Sequence, residues 1–308
     1  MAYNTPGEVL TDIANSIRNL YASTSSIPFV DMPGLIKGAI AEPIDLTGYD
    51  GTDWVLPFIE HSNFSGMSSI NSLFSYIDCD AATPTHSLNL VDFTITSYSS
   101  ISGLFAGSKF VEILGIEDWN TTNITNIFSL FYNTQLLGSL DLSNWDVSNV
   151  SYGGSMYQTE DAPFCGASIP TLNLSGWDFS SGQFPFMFFF FGATIQNLDL
   201  SNWVISSGNF MQMFQNATIG SLDLTGWDTS EVTAMTQMFY GATITKMWVP
   251  STFVATAVSD SANKPFNYSN GSAEIYTDAT DAQTQGWGSV GSGFVVHYNS
   301  TYQDFLNA

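Results

Sequence analysis

The sequence LDLSNWD occupies residues 140–146 and returns as LNLSGWD at 172–178, as LDLSNWV at 198–204 and as LDLTGWD at 222–228. Looser copies begin at Ile44, Leu88, Leu114 and Met247, which makes eight units. Most units begin 24 to 26 residues apart, while those from Ile44 and Leu140 span 44 and 32 residues. A period held over about 200 residues is the signature of a solenoid, in which each repeat stacks on its neighbours.

Each unit predicts a short strand followed by a turn and a helical segment. The two leucines of L-D-L lie on one side of a strand and the residue between them lies on the other. Aromatic residues follow at a constant position, and we expect them to form a buried ladder: Tyr49, Phe93, Trp119, Trp145, Trp177, Trp203 and Trp227. Apolar residues three or four positions apart then indicate helical or 3₁₀ turns, as in Val232, Met235, Met238 and Phe239.

The predicted fold is a leucine-rich-repeat-like solenoid with a parallel β-sheet on one face and short helical or 3₁₀ turns on the other. Small-residue turns, GATI or NATI, lead into the next strand at 192–195, 216–219 and 241–244. We assign residues 43–250 to about eight solenoid units. Residues 1–42 form an N-terminal helical segment, and residues 251–308 form a small β-rich C-terminal cap with strands near 273–278 and 293–298, because the repeat is not found after Pro250.

The middle strand position forms a column on the outward face of the predicted sheet: Asn89, Gly115, Asp141, Asn173, Asp199, Asp223 and Trp248. We take Asn89, Asp141, Asn173, Asp199 and Asp223 as candidate binding residues. Stacking would place Asp199 beside Asp223, about 4.8 Å away, where like charges repel. Either each carboxylate bonds a neighbouring turn, or the column forms an acidic, Asn-lined ledge for sugar hydroxyls, a basic peptide or Ca²⁺. No cofactor is otherwise implied.

The unit from Leu172 replaces its helical half with QFPFMFFFF, residues 183–191. Counting back from GATI places Phe186, Phe189 and Phe190 at inward sites. Met187, Phe188 and Phe191 are then left facing outward or sideways. Such an apolar patch is either covered by the insertion at 151–163 or forms a contact with another subunit, which would make the protein a homo-oligomer.

The repeat LDLTGWDTSEVTAMTQMFYGATI, residues 222–244, resembles the repeat of the BspA-like bacterial surface proteins, a branch of the leucine-rich-repeat superfamily. The resemblance covers about residues 44–250 and departs from the family at the extra residues of the first unit, near 157–163 and at the phenylalanine run. It implies an adhesive or protein-binding module rather than a catalyst. Surface members of that family normally begin with an export signal, and the start MAYNTPGEVL lacks the basic region and apolar run of one.

The N-terminal segment begins with Thr5-Pro6-Gly7-Glu8, a capping box with Pro at the first helical position. Four apolar residues then form a helical seam that is our candidate for attachment: Leu10, Ile13, Ile17 and Leu20. The stretch from IANSIRNLYAS to the DMP sequence is similar to N-terminal segments of phage tail and fibre proteins, which implies docking to other virion proteins. The alternative is a cap that shields the open end of the solenoid, and both roles are compatible.

Composition argues against several function classes. Five Lys and Arg stand against 28 Asp and Glu, a net charge of −23, and the cations are scattered, so neither nucleic acid nor an anionic membrane is an expected partner. No apolar stretch reaches the length of a membrane-spanning helix. The two cysteines and three histidines form no metal-ligand or catalytic spacing, and no nucleophile elbow or phosphate loop is present, so we do not expect an enzyme.

Together these patterns predict a non-enzymatic virion protein of a phage, of the tail-fibre, receptor-binding or head-fibre type. Residues 1–42 would dock it to the particle, and the solenoid would bind a glycan or protein on the host surface. Two alternatives stay open: a bacterial cell-surface adhesin, and a purely structural decoration protein whose solenoid contacts only other virion subunits.

Overall fold

The computed structural model describes residues 69–77, 82–84, 87–91, 93–151, 158–180, 184–205, 207–260, 263–266, 270–282 and 284–308. These residues form a parallel β-solenoid of about eight turns, which confirms the predicted fold class. Leu222 is the register partner of Leu198, and Leu198 is the partner of Leu172, so the repeats stack in sequence order. The core therefore runs as one continuous cluster along the solenoid axis.

Nine strands form the main sheet: β2 (Lys109–Phe110), β4 (Gln135–Leu136), β5 (Leu140–Asp141), β6 (Ser168–Asn173), β8 (Thr194–Asp199), β10 (Thr218–Asp223), β11 (Thr243–Trp248), β12 (Ser272–Tyr276) and β13 (Phe294–His297). Two small parallel sheets accompany it, one of β1 (Leu88–Asn89) with β3 (Ile113–Leu114) and one of β7 (Phe184–Pro185) with β9 (Gly208–Asn209). Short 3₁₀ turns span Ile116–Asp118 and Thr159–Asp161, and an α-helix, α1, spans Tyr302–Asn307.

The arc opposite the main sheet consists of linked β-turns rather than the helical turns predicted from apolar spacing. Ala193 N–H donates to the Phe190 carbonyl across a turn whose third residue, Gly192, has φ 65°. The N–H of Gly192 itself donates to Gln215 in the next coil, at 2.9 Å. A helix would direct its N–H groups along its own axis, whereas these turns bond to the neighbouring coil. The Gly or Asn that opens GATI and NATI is therefore the left-handed residue of a turn.

The predicted aromatic ladder is confirmed for its five indoles, which are buried, whereas Phe93 is half-buried and Tyr49 lies outside the described residues. Trp203 stacks between Trp177 and Trp227, with ring centroids 6.0 and 5.4 Å away. Four indole N–H groups of the ladder also donate to a backbone carbonyl of the preceding coil, those of Trp145, Trp177, Trp203 and Trp227, as in Trp177 to Leu142 at 2.8 Å and Trp203 to Leu174 at 2.7 Å. These bonds join the coils, whereas the buried Nε1 of Trp119 has no hydrogen-bond partner among the described residues.

A second column of phenylalanine rings runs parallel to the indoles and continues through eight coils: Phe74, Phe105, Phe131, Phe164, Phe190, Phe214, Phe239 and Phe266. Neighbouring centroids lie 5.0 to 5.7 Å apart. The inward positions predicted for Phe186, Phe189 and Phe190 are confirmed, since all three are buried.

The predicted register of the unit at Leu114 is wrong by one residue. Ile113, not Leu114, is the partner of Leu88 and is buried, while Leu114 is 39% exposed in the outward column. The coil holds one extra residue, Gly115, in the left-handed conformation at φ 87°. A side chain at Gly115 would come within 2.5 Å of the Val91 backbone, so only glycine fits this close approach.

The solenoid sheet does not end at Pro250. The two strands predicted near 273–278 and 293–298 are present as β12 and β13, and they continue the main sheet in parallel beyond β11. Phe253 stacks on Trp227, so the core continues with them although the L-D-L sequence does not. The repeat was not visible there because the inward positions are occupied by other apolar residues.

We predict that Trp177→Ala lowers the free energy of unfolding by about 3–5 kcal/mol, because it leaves a large cavity and removes a bond to Leu142. Trp177→Phe keeps most of the ring and should cost clearly less. Urea unfolding followed by circular dichroism measures both variants. A loss below about 1 kcal/mol for the alanine variant would contradict a ladder that holds the coils together.

Candidate binding face

The outward face of the main sheet carries side chains in columns, because parallel strands in register place equivalent residues side by side. One column consists of hydroxyl residues at the strand starts: Ser168, Thr194, Thr218, Thr243 and Ser272. A second column crosses the middle of the same strands: Thr171, Asn197, Ser221 and Lys246. Thr194, Thr218 and Thr243 are exposed, so the face offers a regular array of hydroxyl and amide groups to solvent.

The predicted column of Asn and Asp lies on this face, beside the first two. Asp141, Asn173, Asp199 and Asp223 are register partners on four neighbouring strands. Asn89 lies apart from them, on β1 in a small sheet with β3. All five are exposed or half-buried.

Each of these side chains bonds its own turn. In each case, Oδ1 accepts a hydrogen bond from the backbone N–H two residues further along the chain. The distances are 2.9 Å for Asp199, 2.8 Å for Asp223, 3.0 Å for Asp141, 3.0 Å for Asn173 and 3.1 Å for Asn89. The repeated Asp or Asn therefore has a structural role, as the first interpretation of the column expects. The second oxygens of Asp141 and Asp223 and the amide nitrogen of Asn173 take part in further hydrogen bonds on the outward face.

A lateral hydrogen bond joins two members of the column. Asn173 Nδ2 donates to Asp141 Oδ2 at 3.0 Å. Burial alone would raise the pKa of the Asp141 carboxyl, but hydrogen bonds from Ser143 and Asn173 outweigh it and hold the pKa below its ordinary 3.8. Asp199 and Asp223 have no Asn between them and lie on adjacent strands as like charges.

Helix α1 covers the C-terminal end of the face, which the sequence did not predict. Tyr302 OH donates to Asp223 Oδ2 at 2.5 Å, and Lys246 Nζ donates to the Phe305 carbonyl at 2.9 Å. Burial, followed by the bond to Asp223, raises the pKa of Tyr302 above its ordinary 10.0. Trp248, placed in the outward column by its sequence position, is buried because Tyr302 and Phe305 pack against it.

No group of three or more His, Cys, Asp or Glu in the described residues is arranged to hold a metal ion. The Asp column therefore offers Ca²⁺ no ready-made cluster of carboxylates. His297 and Glu274, on β13 and β12, form a pair with Nε2 and Oε2 2.6 Å apart. Within the described part of the chain, no helix is long and apolar enough to cross a membrane.

The phenylalanine run is more enclosed than the sequence predicted. Met187, expected to face outward, is 1% exposed, so that expectation is wrong. Phe188 and Phe191 are half-buried and pack edge to face on each other, with centroids 5.8 Å apart. Phe188 also has φ 60°, since it occupies a left-handed turn position. A bulky side chain in the left-handed region is strained.

Other predicted residues lie outside the described part of the chain. The attachment seam, Leu10, Ile13, Ile17 and Leu20, belongs to residues 1–68, and residues 152–157 of the insertion at 151–163 are not described either. The structure therefore leaves docking through residues 1–42 as a prediction.

A family model described as "Mycoplasma protein of unknown function, DUF285" matches three overlapping stretches of the sequence, residues 68–164, 99–217 and 162–251. Together they span more than half of the 308 residues, so the chain belongs to this family. The family is associated with BspA-like repeat proteins, in agreement with the resemblance of the repeat. No curated protein and no solved structure matches the chain.

We predict that the same substitution has opposite effects at two positions of the Asp column. Asp199→Asn removes a like charge beside Asp223 and keeps the bond to Ser201, so it should raise the free energy of unfolding by about 0.2–1 kcal/mol. Asp141→Asn removes the carboxylate that Asn173 donates to, so this substitution should lower the free energy of unfolding by about 1 kcal/mol.

Urea unfolding at pH 7, at low and at high salt, measures this difference. The gain at Asp199 should shrink with salt, because exposed charges are screened. The native pKa of Asp141 is lowered, so its contribution is complete above the ordinary carboxyl pKa and disappears as the pH falls through the native one. Shifts of the same sign at both positions would contradict the pairing described for the column.

Proposed function

We propose that the protein is a non-enzymatic recognition module whose outward sheet face binds a glycan or protein on a host cell surface. The observation that carries the proposal is the set of columns on strands β6 to β11. Exposed hydroxyl, amide and carboxylate groups recur there at a strand spacing of about 4.8 Å, on a surface that the core holds fixed. A ligand with repeated polar groups, such as a glycan chain, can bond such a surface at several points.

The charge of the face favours a neutral ligand over a polyanion. Asp141, Asp199 and Asp223 contribute negative charge, and Lys246, the cation of the middle column, is engaged by the carbonyls of α1. Polyanions such as teichoic acids and nucleic acids would be repelled by this face. Sugar hydroxyls, in contrast, can donate hydrogen bonds to its carboxylates and accept them from its amides and hydroxyls.

For the biological setting, we propose a phage particle, with residues 1–42 docking the chain to other virion proteins. The support is the similarity of that segment to phage tail and fibre proteins. The runner-up is a bacterial cell-surface adhesin, supported by the resemblance of the repeat to the BspA-like bacterial surface proteins and by a family description that refers to a bacterial source, Mycoplasma. Mass spectrometry of purified particles and of surface-labelled cells separates the two: the phage proposal requires the chain in particles, and its presence on uninfected cells alone would overturn it.

We predict that Thr218→Arg, a bulky cation at the centre of the exposed face, reduces binding of the purified protein to host cells at least tenfold, by about 1.4 kcal/mol or more. Thr233→Arg makes the same change at an exposed position in the same coil, outside the sheet, and should leave binding within twofold. Flow cytometry with labelled protein measures both. Equal binding by the two variants would mean that the sheet face does not contact the host.

A further inference from the structure

Strand β13 lies at the end of the main sheet, and among the described residues no strand pairs with one of its edges. Thr277 N–H donates to the His297 carbonyl, and Ala273 N–H donates to the Gly293 carbonyl. Backbone groups of successive residues in a strand point to opposite sides. Residues 293, 295 and 297 therefore face β12, and residues 294, 296 and 298 face the open edge.

The open edge presents a definite set of unpaired backbone groups. Phe294 N–H donates a hydrogen bond to the Gly291 carbonyl, at 3.0 Å. The N–H and carbonyl of Val296, the carbonyl of Phe294 and the N–H of Tyr298 accept or donate no hydrogen bond in the described part of the protein. Two donors and two acceptors are therefore available on this edge.

This set is complementary to itself. When a second copy lies antiparallel about a two-fold axis at Val296, the two Val296 residues exchange N–H and carbonyl bonds. Tyr298 N–H of each copy then reaches the Phe294 carbonyl of the other. All four groups are used on both sides, and the occupied N–H of Phe294 is not needed. We propose that two copies of this chain pair end to end through β13.

The surroundings of β13 favour such a contact. Val295 is 49% exposed beside the edge, and Leu306 of α1 is 51% exposed at the same end of the sheet. Helix α1 packs on β11 and β12. The sequence Phe294–His297 contains no proline or lysine, the residues that normally protect an edge strand from pairing.

End-to-end pairing has a consequence for binding. The two-fold axis would place the two sheets in one continuous surface and direct the β2 ends of the two solenoids away from each other. A dimer would then present two recognition faces to a multivalent surface, which raises the overall affinity without any new contact to the ligand. The pairing is independent of the ligand, and its test needs no host cell.

The test is the mass of the full chain in solution, measured by sedimentation velocity over a range of concentrations. We expect twice the 33.6 kDa of one chain, with more dimer at higher salt, because both copies carry a net charge of −23. Val296→Pro removes a donor that makes no bond within one copy, and it should raise the dissociation constant at least tenfold while circular dichroism stays unchanged.

Val295→Lys should weaken the dimer in the same way, and Val204→Lys is its matched control, since Val204 is 47% exposed away from this edge. Hydrogen exchange of the amides of Val296 and Tyr298 should slow as the concentration rises. A mass of one chain at every concentration would overturn the proposal. So would a dimer that survives both β13 variants, or one that only Phe188→Ser with Phe191→Ser dissociates.

Discussion

The structure depends on the burial of each coil's apolar face against the next coil. One coil of 24 to 26 residues is too thin to enclose its own core, so the indole and phenylalanine columns are shared between neighbours. Two polar devices fix the same spacing. The indole N–H of Trp177 or Trp203 donates to the preceding coil, and the left-handed turn residues donate to the following one. Apolar stacking and backbone pairing therefore specify the same register. If one coil shifted along the chain relative to its neighbour, both sets of contacts would be lost.

The outward face inherits its order from that core. Because the inward leucines fix the register, the outward residues align whether or not their alignment is favourable. Asp199 and Asp223 show the cost, since the repeat places two carboxylates side by side. The chain offsets this with neutral donors rather than cations: Asn173 donates to Asp141, and Tyr302 donates to Asp223. A side chain 79 residues away in sequence thus completes the column, and it neutralises none of the charge.

The sequence predicted the repeated strands and core positions, but it assigned the repeated turns to the wrong structure and missed features that occur once. The strands, the parallel register, the indole ladder and the inward phenylalanines followed from periodicity, because those positions recur in each coil. The β-turn arc was mistaken for helical turns, since residues three apart face inward in both; the recurrent Gly or Asn of GATI and NATI was the available signal. The extra residue Gly115 shifts the register of one unit, and helix α1 covers Trp248. Neither feature recurs in the sequence, so the repeat pattern does not reveal it. Of the candidate site, the column of Asp and Asn was found, but its Tyr302 cover was not.

The outward face and the strand edge of the C-terminal coil are exposed to solvent to different extents. This difference follows from the need of each coil to pack against a neighbour. A stack of coils always ends in a half-used core and an open strand edge. Helix α1 protects the outward face over β11 and β12, where Trp248 would otherwise be exposed. It is six residues long, so its stability comes from docking rather than from its own hydrogen bonds. At the β13 edge, one more strand can pair with the sheet without disturbing the core. A strand from another chain can therefore take the place of the next coil.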